Sequence, residues 1–272
     1  MKKAVFISIL FSVLFLFGED VVQKVDDGSI NWTEMTVTVT GSGIPDLGIS
    51  NVSSAKLSAE KTAKMNAVYR FLKALEKIEL CNGKDLEKYL AEIKDGSFIK
   101  ELGRNVQWSE MSLDKQYSDG SVDFSFKFHF EQQLIDIIKK TQSAFVKAPV
   151  AAIDSSNIIP AEKRAGFLVI DLKGHKMSPV LFPSVETSDG EILFNITKVN
   201  DGFSQPGGFY RVRKTADSIL EKFNAKEDFL SISASKIKDR SVIIISRDDA
   251  VKIKTMLKPE VFSEGRIVVI FQ

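Results

Sequence analysis

"SSAKLSAEKTAKMNAVYRFLKAL", Ser53 to Leu75, is the stretch that decides the fold. Ala55, Ala59, Ala63 and Ala67 recur at every fourth position, and Val68, Phe71, Leu72 and Leu75 then widen the apolar stripe. Residues four apart stack on one face of an α-helix, so the stretch reads as a helix with a seam of methyl groups. Small side chains at that spacing let the helix backbone lie close to a neighbouring element. Asn51, Ser53 and Ser54 are the candidate N-caps.

The neighbour is predicted to be a sheet. Upstream, "EMTVTVTGSG" alternates strictly: Met35, Val37 and Val39 point one way, and Thr36, Thr38 and Thr40 the other. That is a half-buried strand ending at Gly41. Downstream, Asp119-Gly120 separates two extended runs, the local signal for a hairpin. In the second run Val122, Phe124, Phe126, Phe128 and Phe130 share one face, while Asp123, Ser125, Lys127, His129 and Glu131 share the other. A bulky Val/Phe face is complemented by an alanine-lined helix without overpacking. Between the alanine helix and the hairpin, "KDLEKYLAEI" has the spacing of a short helix, and after the hairpin "LIDIIKKTQSAF" continues as another.

Beyond Phe145 the pattern breaks and restarts. "VKAPVAAIDSSNIIPAEKR" holds two prolines and no sustained period, which marks a linker over 146–164. A second alternation runs through "AGFLVIDLKG", "PVLFPSVET", "EILFNI" around Asp189-Gly190, "DFLSISASKI", "SVIIISRDDAVKIKTML" and "GRIVVIFQ". Ser246 and Asp249 have the spacing of a capping box. The expected fold class is α+β, with antiparallel sheets each covered by a helix, in two domains: 28–145 and 165–272.

The chain has 272 residues, 44% of them apolar, with 37 basic and 36 acidic side chains. That balance exerts no global pull on nucleic acid, and no nucleic-acid partner is expected. "MKKAVFISILFSVLFLFGED" opens with Lys2 and Lys3, and an apolar run follows from Ala4 to Gly18. The run is shorter than the ~20 residues of a spanning helix, so residues 1–18 are expected to be a secretory signal peptide, with an uncleaved anchor as the alternative. The single cysteine, Cys81, lies far from this segment and cannot form an internal disulfide.

No spacing for chemistry emerges. Gly41-x-Gly43 follows a strand, but Pro45 and Asp46 replace the rest of a dinucleotide fingerprint. "CNGKDL" lacks the first glycine and the Ser/Thr of a phosphate loop. The two histidines, His129 and His175, share no metal-ligand spacing with each other or with Cys81. Arg211, Arg213 and Lys214 form a local basic group, and "DGFSQPGGFY" has the composition of a binding loop. The expectation is a non-enzyme without catalytic, cofactor-binding or metal-ligating residues and without a small-molecule cofactor.

Several of these pieces together resemble the LPP-twenty lipoprotein family, which is related to the N-terminal domain of flagellar assembly protein T and to flagellar lipoprotein P. They are Ile30 and Trp32 before a strand ending in Gly41, Gly43 and Pro45; then Ala55, Ala59, Ala63 and Ala67 with Leu72 and Leu75; then the Asp119-Gly120 turn. The resemblance spans Gly28 to Glu131, and residues from Ala165 onward resemble the C-terminal part of longer members. The usual alanine–x–arginine step is "AVYR" here, with Tyr69 before Arg70, and the lipid-anchoring cysteine is missing. The resemblance implies an exported α+β module of the periplasm or outer-membrane surface, not lipid-anchored through a cysteine. It implies a structural or assembly role with protein partners of the cell envelope, with flagellar basal-body rings and self-association as candidate contacts. The alternative is a periplasmic binding module for a small ligand or envelope polymer.

Overall fold

The computed structural model describes residues 20–26, 28–81, 83–93, 110–130, 164–195, 211–213 and 229–271, with only the backbone for 211–213. The expected signal segment, the helix expected over "LIDIIKKTQSAF", nearly all of the 146–164 linker, the "DGFSQPGGFY" loop and Lys214 lie outside the described residues.

Strands β1 (Val22–Val25), β2 (Gly28–Asn31), β3 (Thr36–Gly43), β6 (Glu110–Gln116) and β7 (Val122–His129) form one antiparallel sheet in the order β1-β2-β3-β7-β6. Helix α1 (Val52–Glu76) lies on it. Asn51 is the cap: its side-chain oxygen accepts from the backbone N–H of Ser53 and Ser54 at 2.9 and 3.1 Å. The alternation in β7 is obeyed, with Val122, Phe124, Phe126 and Phe128 buried. Phe71 of α1 stacks on Phe128 with ring centroids 3.9 Å apart. The β2–β3 loop is closed by Asn31, whose side-chain oxygen accepts from Thr33 and Glu34, and by Met35, buried in a left-handed conformation at φ 52°.

The seam of alanines has a more specific partner than the phenylalanine face. The inward positions of β3 run Val37, Val39, Gly41, Gly43, opposite Phe128, Phe126, Phe124 and Val122 of β7. The two glycines form a notch, and α1 sits in it. A methyl on Gly41 would fall against the Ala63 carbonyl oxygen and 2.7 Å from Ala67 Cβ. One on Gly43 would fall against the Ala59 carbonyl oxygen and 2.7 Å from Ala63 N. Ala59, Ala63 and Ala67 are fully buried there.

Chain reversal at Asp119-Gly120 joins β6 to β7, with Gly120 at φ 85° and its N–H bonded to the Tyr117 carbonyl at 3.0 Å. A bulge between Leu113 and Lys115 interrupts the β6–β7 register, and β6 is exposed along its length. After α1, strands β4 (Glu79–Cys81) and β5 (Lys84–Asp85) pair, and α2 (Leu86–Ile93) buries Leu86 and Tyr89.

The C-terminal half is also α+β, with pairings that hairpin signals do not reveal. Strands β8 (Phe167–Asp171), β11 (Arg211–Arg213), β12 (Phe229–Ser233) and β15 (Ile267–Ile270) form a parallel sheet in the order β11-β15-β8-β12. Strands β9 (Ser184–Thr187), β10 (Ile192–Phe194), β13 (Lys236–Lys238) and β14 (Val242–Ile245) form a second sheet in which β9 and β14 are parallel and the outer pairs antiparallel. The chain expected as one strand over "DFLSISASKI" divides between the two sheets at Ala234-Ser235: Ala234 N–H bonds Asp171 O and Ser235 N–H bonds Ile244 O, each at 2.8 Å. β15 is buried at every position, the pattern of a strand covered on both faces. Helix α3 (Arg247–Met256) starts at Ser246, whose Oγ accepts from Asp249 N at 3.1 Å and donates to its carboxylate at 2.8 Å; α4 (Glu260–Ser263) follows.

The halves share a core. Leu181 and Phe182 donate backbone hydrogen bonds of 2.8 Å to Glu79 and Leu80, and one buried apolar cluster runs from Ile30 to Val269.

Candidate functional site

The residues singled out between Ile30 and Gly120 are assembled as a unit in space. Ile30 and Trp32 are buried, with the Trp32 indole N–H on Gln23 at 2.9 Å and its ring edge-on to Phe130. Gly41 and Gly43 receive the alanine seam. Arg70, from the altered "AVYR" step, donates to the Thr40 carbonyl at 2.6 Å, and Asn66 donates to the Ser42 carbonyl at 2.7 Å. These side chains bond β3 just beyond Val39, where the described pairing of β2 with β3 ends. Pro45 then packs on the hairpin turn: a methyl at Gly120 would stand 3.3 Å from Pro45 Cγ. Ile30, Trp32, Gly41, Gly43, Pro45, Ala59, Ala63, Ala67 and Arg70 thus have packing or bonding roles.

Where the Pro45 loop meets the Asp119-Gly120 turn and the start of α1, a cleft of about 270 Å³ opens. Pro45, Leu47, Ile49 and Val52 supply apolar wall, and Asp46, Lys56 and Asp119 supply charge. Leu47 and Val52 are 92% and 84% exposed, and Ile44 beside them is exposed too. Asp46 folds its loop by accepting from Gly48 N at 2.9 Å, and Asp119 does the same for the hairpin through Ser121 N at 2.9 Å. The Ser121 amide holds the Asp119 carboxyl below its ordinary range. Nearby, Asp123 is held below its ordinary range by hydrogen bonds from Ser42 and from the Tyr117 hydroxyl, the latter at 2.7 Å. The same bond pushes the Tyr117 phenol up. Carboxylates held ionised beside exposed aliphatic groups can recognise a complementary surface; they are poor proton donors near neutral pH.

The side chains weighed for chemistry from the sequence stand apart from this cleft's lining. His129 is exposed at the end of β7, and His175 is exposed in the turn after β8. Cys81 is half-buried on β4, and burial pushes its thiol up to about 11. Arg211 and Arg213 lie on β11, an edge of the parallel sheet. Among the described residues, no three His, Cys, Asp or Glu side chains gather as a metal site would require. No described helix is long and apolar enough to cross a membrane.

Leu47 and Val52 are not visible as a site in the sequence. Their signal, two aliphatic residues in the glycine- and proline-containing stretch "GIPDLGISNV", reads equally as loop and as core.

Residues 167–272 match a family described as the second domain of Treponema pallidum Tp0624. The match starts at the first residue of β8. No curated protein matches the chain.

Proposed function

We propose that the protein is a non-enzymatic, exported envelope protein that works by contact, as a structural or assembly component at the flagellar basal body. The contact part of this reading rests on the exposed apolar residues Leu47 and Val52 that line the cleft, with exposed Ile44 next to it in the chain. Clustered aliphatic side chains held in water by a well-packed scaffold are a recurrent feature of protein-contact sites. The flagellar part rests on the resemblance of Gly28–Glu131. Its partners are then envelope proteins, the basal-body rings among them, with self-association as a further contact.

The test is genetic and biochemical. Deleting the gene impairs swimming while growth stays normal, and the protein co-sediments with purified basal bodies. A deletion strain that swims normally, with the protein dispersed through the periplasm, sinks the flagellar assignment. That outcome favours a second reading, a periplasmic binding module. Its support is the cleft itself, whose volume lies just under the ~300 Å³ lower end of small-ligand sites.

A further inference from the structure

The alanine seam of α1 has an opposite. Positions two residues further on lie about 200° round a helix of 3.6 residues per turn. The row Leu57, Lys61, Met65, Tyr69 is therefore antipodal to the row Ala59, Ala63, Ala67, Phe71 and forms the outermost ridge of the helix. Three of its four side chains are apolar and stand in water: Leu57 is 68% exposed, Met65 65% and Tyr69 63%. Lys61 in the middle of the row is exposed, as is Lys64 three residues on, with Glu60 the nearby carboxylate.

Charge sharpens the asymmetry. The helix carries five basic and two acidic residues, a local charge of +3 in a chain of +1, which leaves the remainder at −2. Two of those cations are committed: Arg70 to the Thr40 carbonyl and Lys73 to Glu76 at 2.9 Å. Lys61 and Lys64 remain directed at solvent, on the side where the apolar ridge is exposed, while Lys56 lies toward the alanine side and lines the cleft.

We propose that this ridge is a docking face for an anionic lipid surface. A helix lying in a membrane interface presents aliphatic and aromatic side chains to the acyl boundary and lysines to the headgroups. Lysines reach the phosphates while their stems stay in the apolar layer. From Leu57 to Tyr69 the ridge runs about 18 Å at 1.5 Å per residue, and a flat fluid surface meets such a ridge along its whole length. A second copy of the same face would set Lys61 and Lys64 against their counterparts. The uneven charge of the molecule turns this helix toward negative headgroups before contact. The proposal is independent of the cleft and of the flagellar reading, and it gives the protein a membrane contact that needs neither a lipid-bearing cysteine nor a spanning helix.

The test reads the ridge directly, so that the apolar N-terminal run cannot produce the signal. Protein isolated from the envelope in a Cys81→Ser background carries an environment-sensitive dye at Met65→Cys or, as control, at the exposed Lys236→Cys on β13. Phosphatidylcholine vesicles with and without phosphatidylglycerol are the probes. The expected result is a blue shift at Met65→Cys only, with phosphatidylglycerol only, weakened by salt. Lys61→Gln with Lys64→Gln lowers vesicle partitioning about thirtyfold. Met65, Lys236, Lys61 and Lys64 are exposed, so circular dichroism and melting unchanged from the Cys81→Ser parent show that folding is intact. No shift with phosphatidylglycerol, equal shifts at both dye positions or with both vesicles, or indifference to the lysine changes each overturns the proposal. So does cross-linking of the ridge to an acidic envelope protein when vesicles give no shift, which assigns the face to that protein.

Discussion

Gly43 on β3 and Ala59 on α1 touch backbone to backbone: a single methyl on Gly43 would run into the Ala59 carbonyl oxygen. This contact sets how closely helix and sheet approach. Gly43→Ala therefore has nowhere to go without displacing α1, and overpacking of this kind costs about 1–3 kcal/mol. Gly48→Ala, in the exposed loop with only the Asp46 carboxylate nearby, is expected within about 0.5 kcal/mol of the parent. Urea midpoints of the two variants decide the matter, and equal midpoints would show that the notch does not constrain the helix.

The facing side of the same contact gives a second expectation. Ala63→Phe forces a ring between α1 and β3 and is expected to lower stability by about 1–3 kcal/mol. Lys61→Phe, on the exposed ridge, is expected to stay within about 0.5 kcal/mol. Similar losses at both positions would mean that the buried face of the helix has been assigned wrongly.

How far the sequence predicts this arrangement depends on the distance over which each signal acts. Helix α1, strand β7 and both Asp-Gly hairpins are legible because their evidence is local: a period, a cap, a turn dipeptide. The notch is only half legible. Gly41 and Gly43 read as the end of a strand, and nothing local says that they will meet alanines about 20 residues later. The parallel pairing of β8 with β12 and β15 is invisible for a related reason. Strands covered on both faces lose the alternation that orients them, and parallel neighbours come from distant parts of the chain. The cleft joins two loops some 70 residues apart, so its rim emerges only once β3 and β7 are in register.

Arg70 tests whether the "AVYR" step is structural. Its guanidinium donates to the Thr40 carbonyl, one residue beyond the described β2–β3 pairs. Arg70→Met keeps much of the aliphatic stem and removes the donor. A part-buried carbonyl left without that partner costs about 1–3 kcal/mol. Faster amide exchange along Thr40–Gly43 is expected along with the loss in melting temperature. Unchanged exchange there would place the role of Arg70 elsewhere.

Cys81 gives a pH-dependent expectation. Burial favours its neutral thiol and raises its pKa to about 11, from 9.0 for the free group. Alkylation by iodoacetamide is therefore expected to be slow at pH 8 and to keep accelerating well above pH 9. The sign for stability follows by linkage. Between about 9 and 11 the folded state retains a proton that the unfolded state has lost, so rising pH destabilises the fold across that window. Cys81→Ser should flatten this part of the stability profile. An alkylation midpoint near the free-thiol value would show that the cysteine is open to solvent.

The cleft carries the proposal of contact, so its rim is where substitution separates docking from folding. Leu47 and Val52 are 92% and 84% exposed, and their replacement removes almost no buried surface from the folded chain. Leu47→Glu with Val52→Glu is thus expected to leave the melting temperature nearly unchanged. At a docking site the same changes place two carboxylates where apolar contact is needed, beside Asp46 and Asp119, which are already negative. Loss of one or two such anchors weakens binding about tenfold or more. Co-sedimentation with basal bodies is therefore expected to fall while protein abundance in the envelope holds. Glu substitutions at Val251 and Met256 on α3, exposed apolar residues of the C-terminal half, serve as the matched control and are expected to leave co-sedimentation intact. If the control abolishes association and the cleft variant does not, docking belongs to the C-terminal half, and the resemblance motif serves only to pack α1 on its sheet.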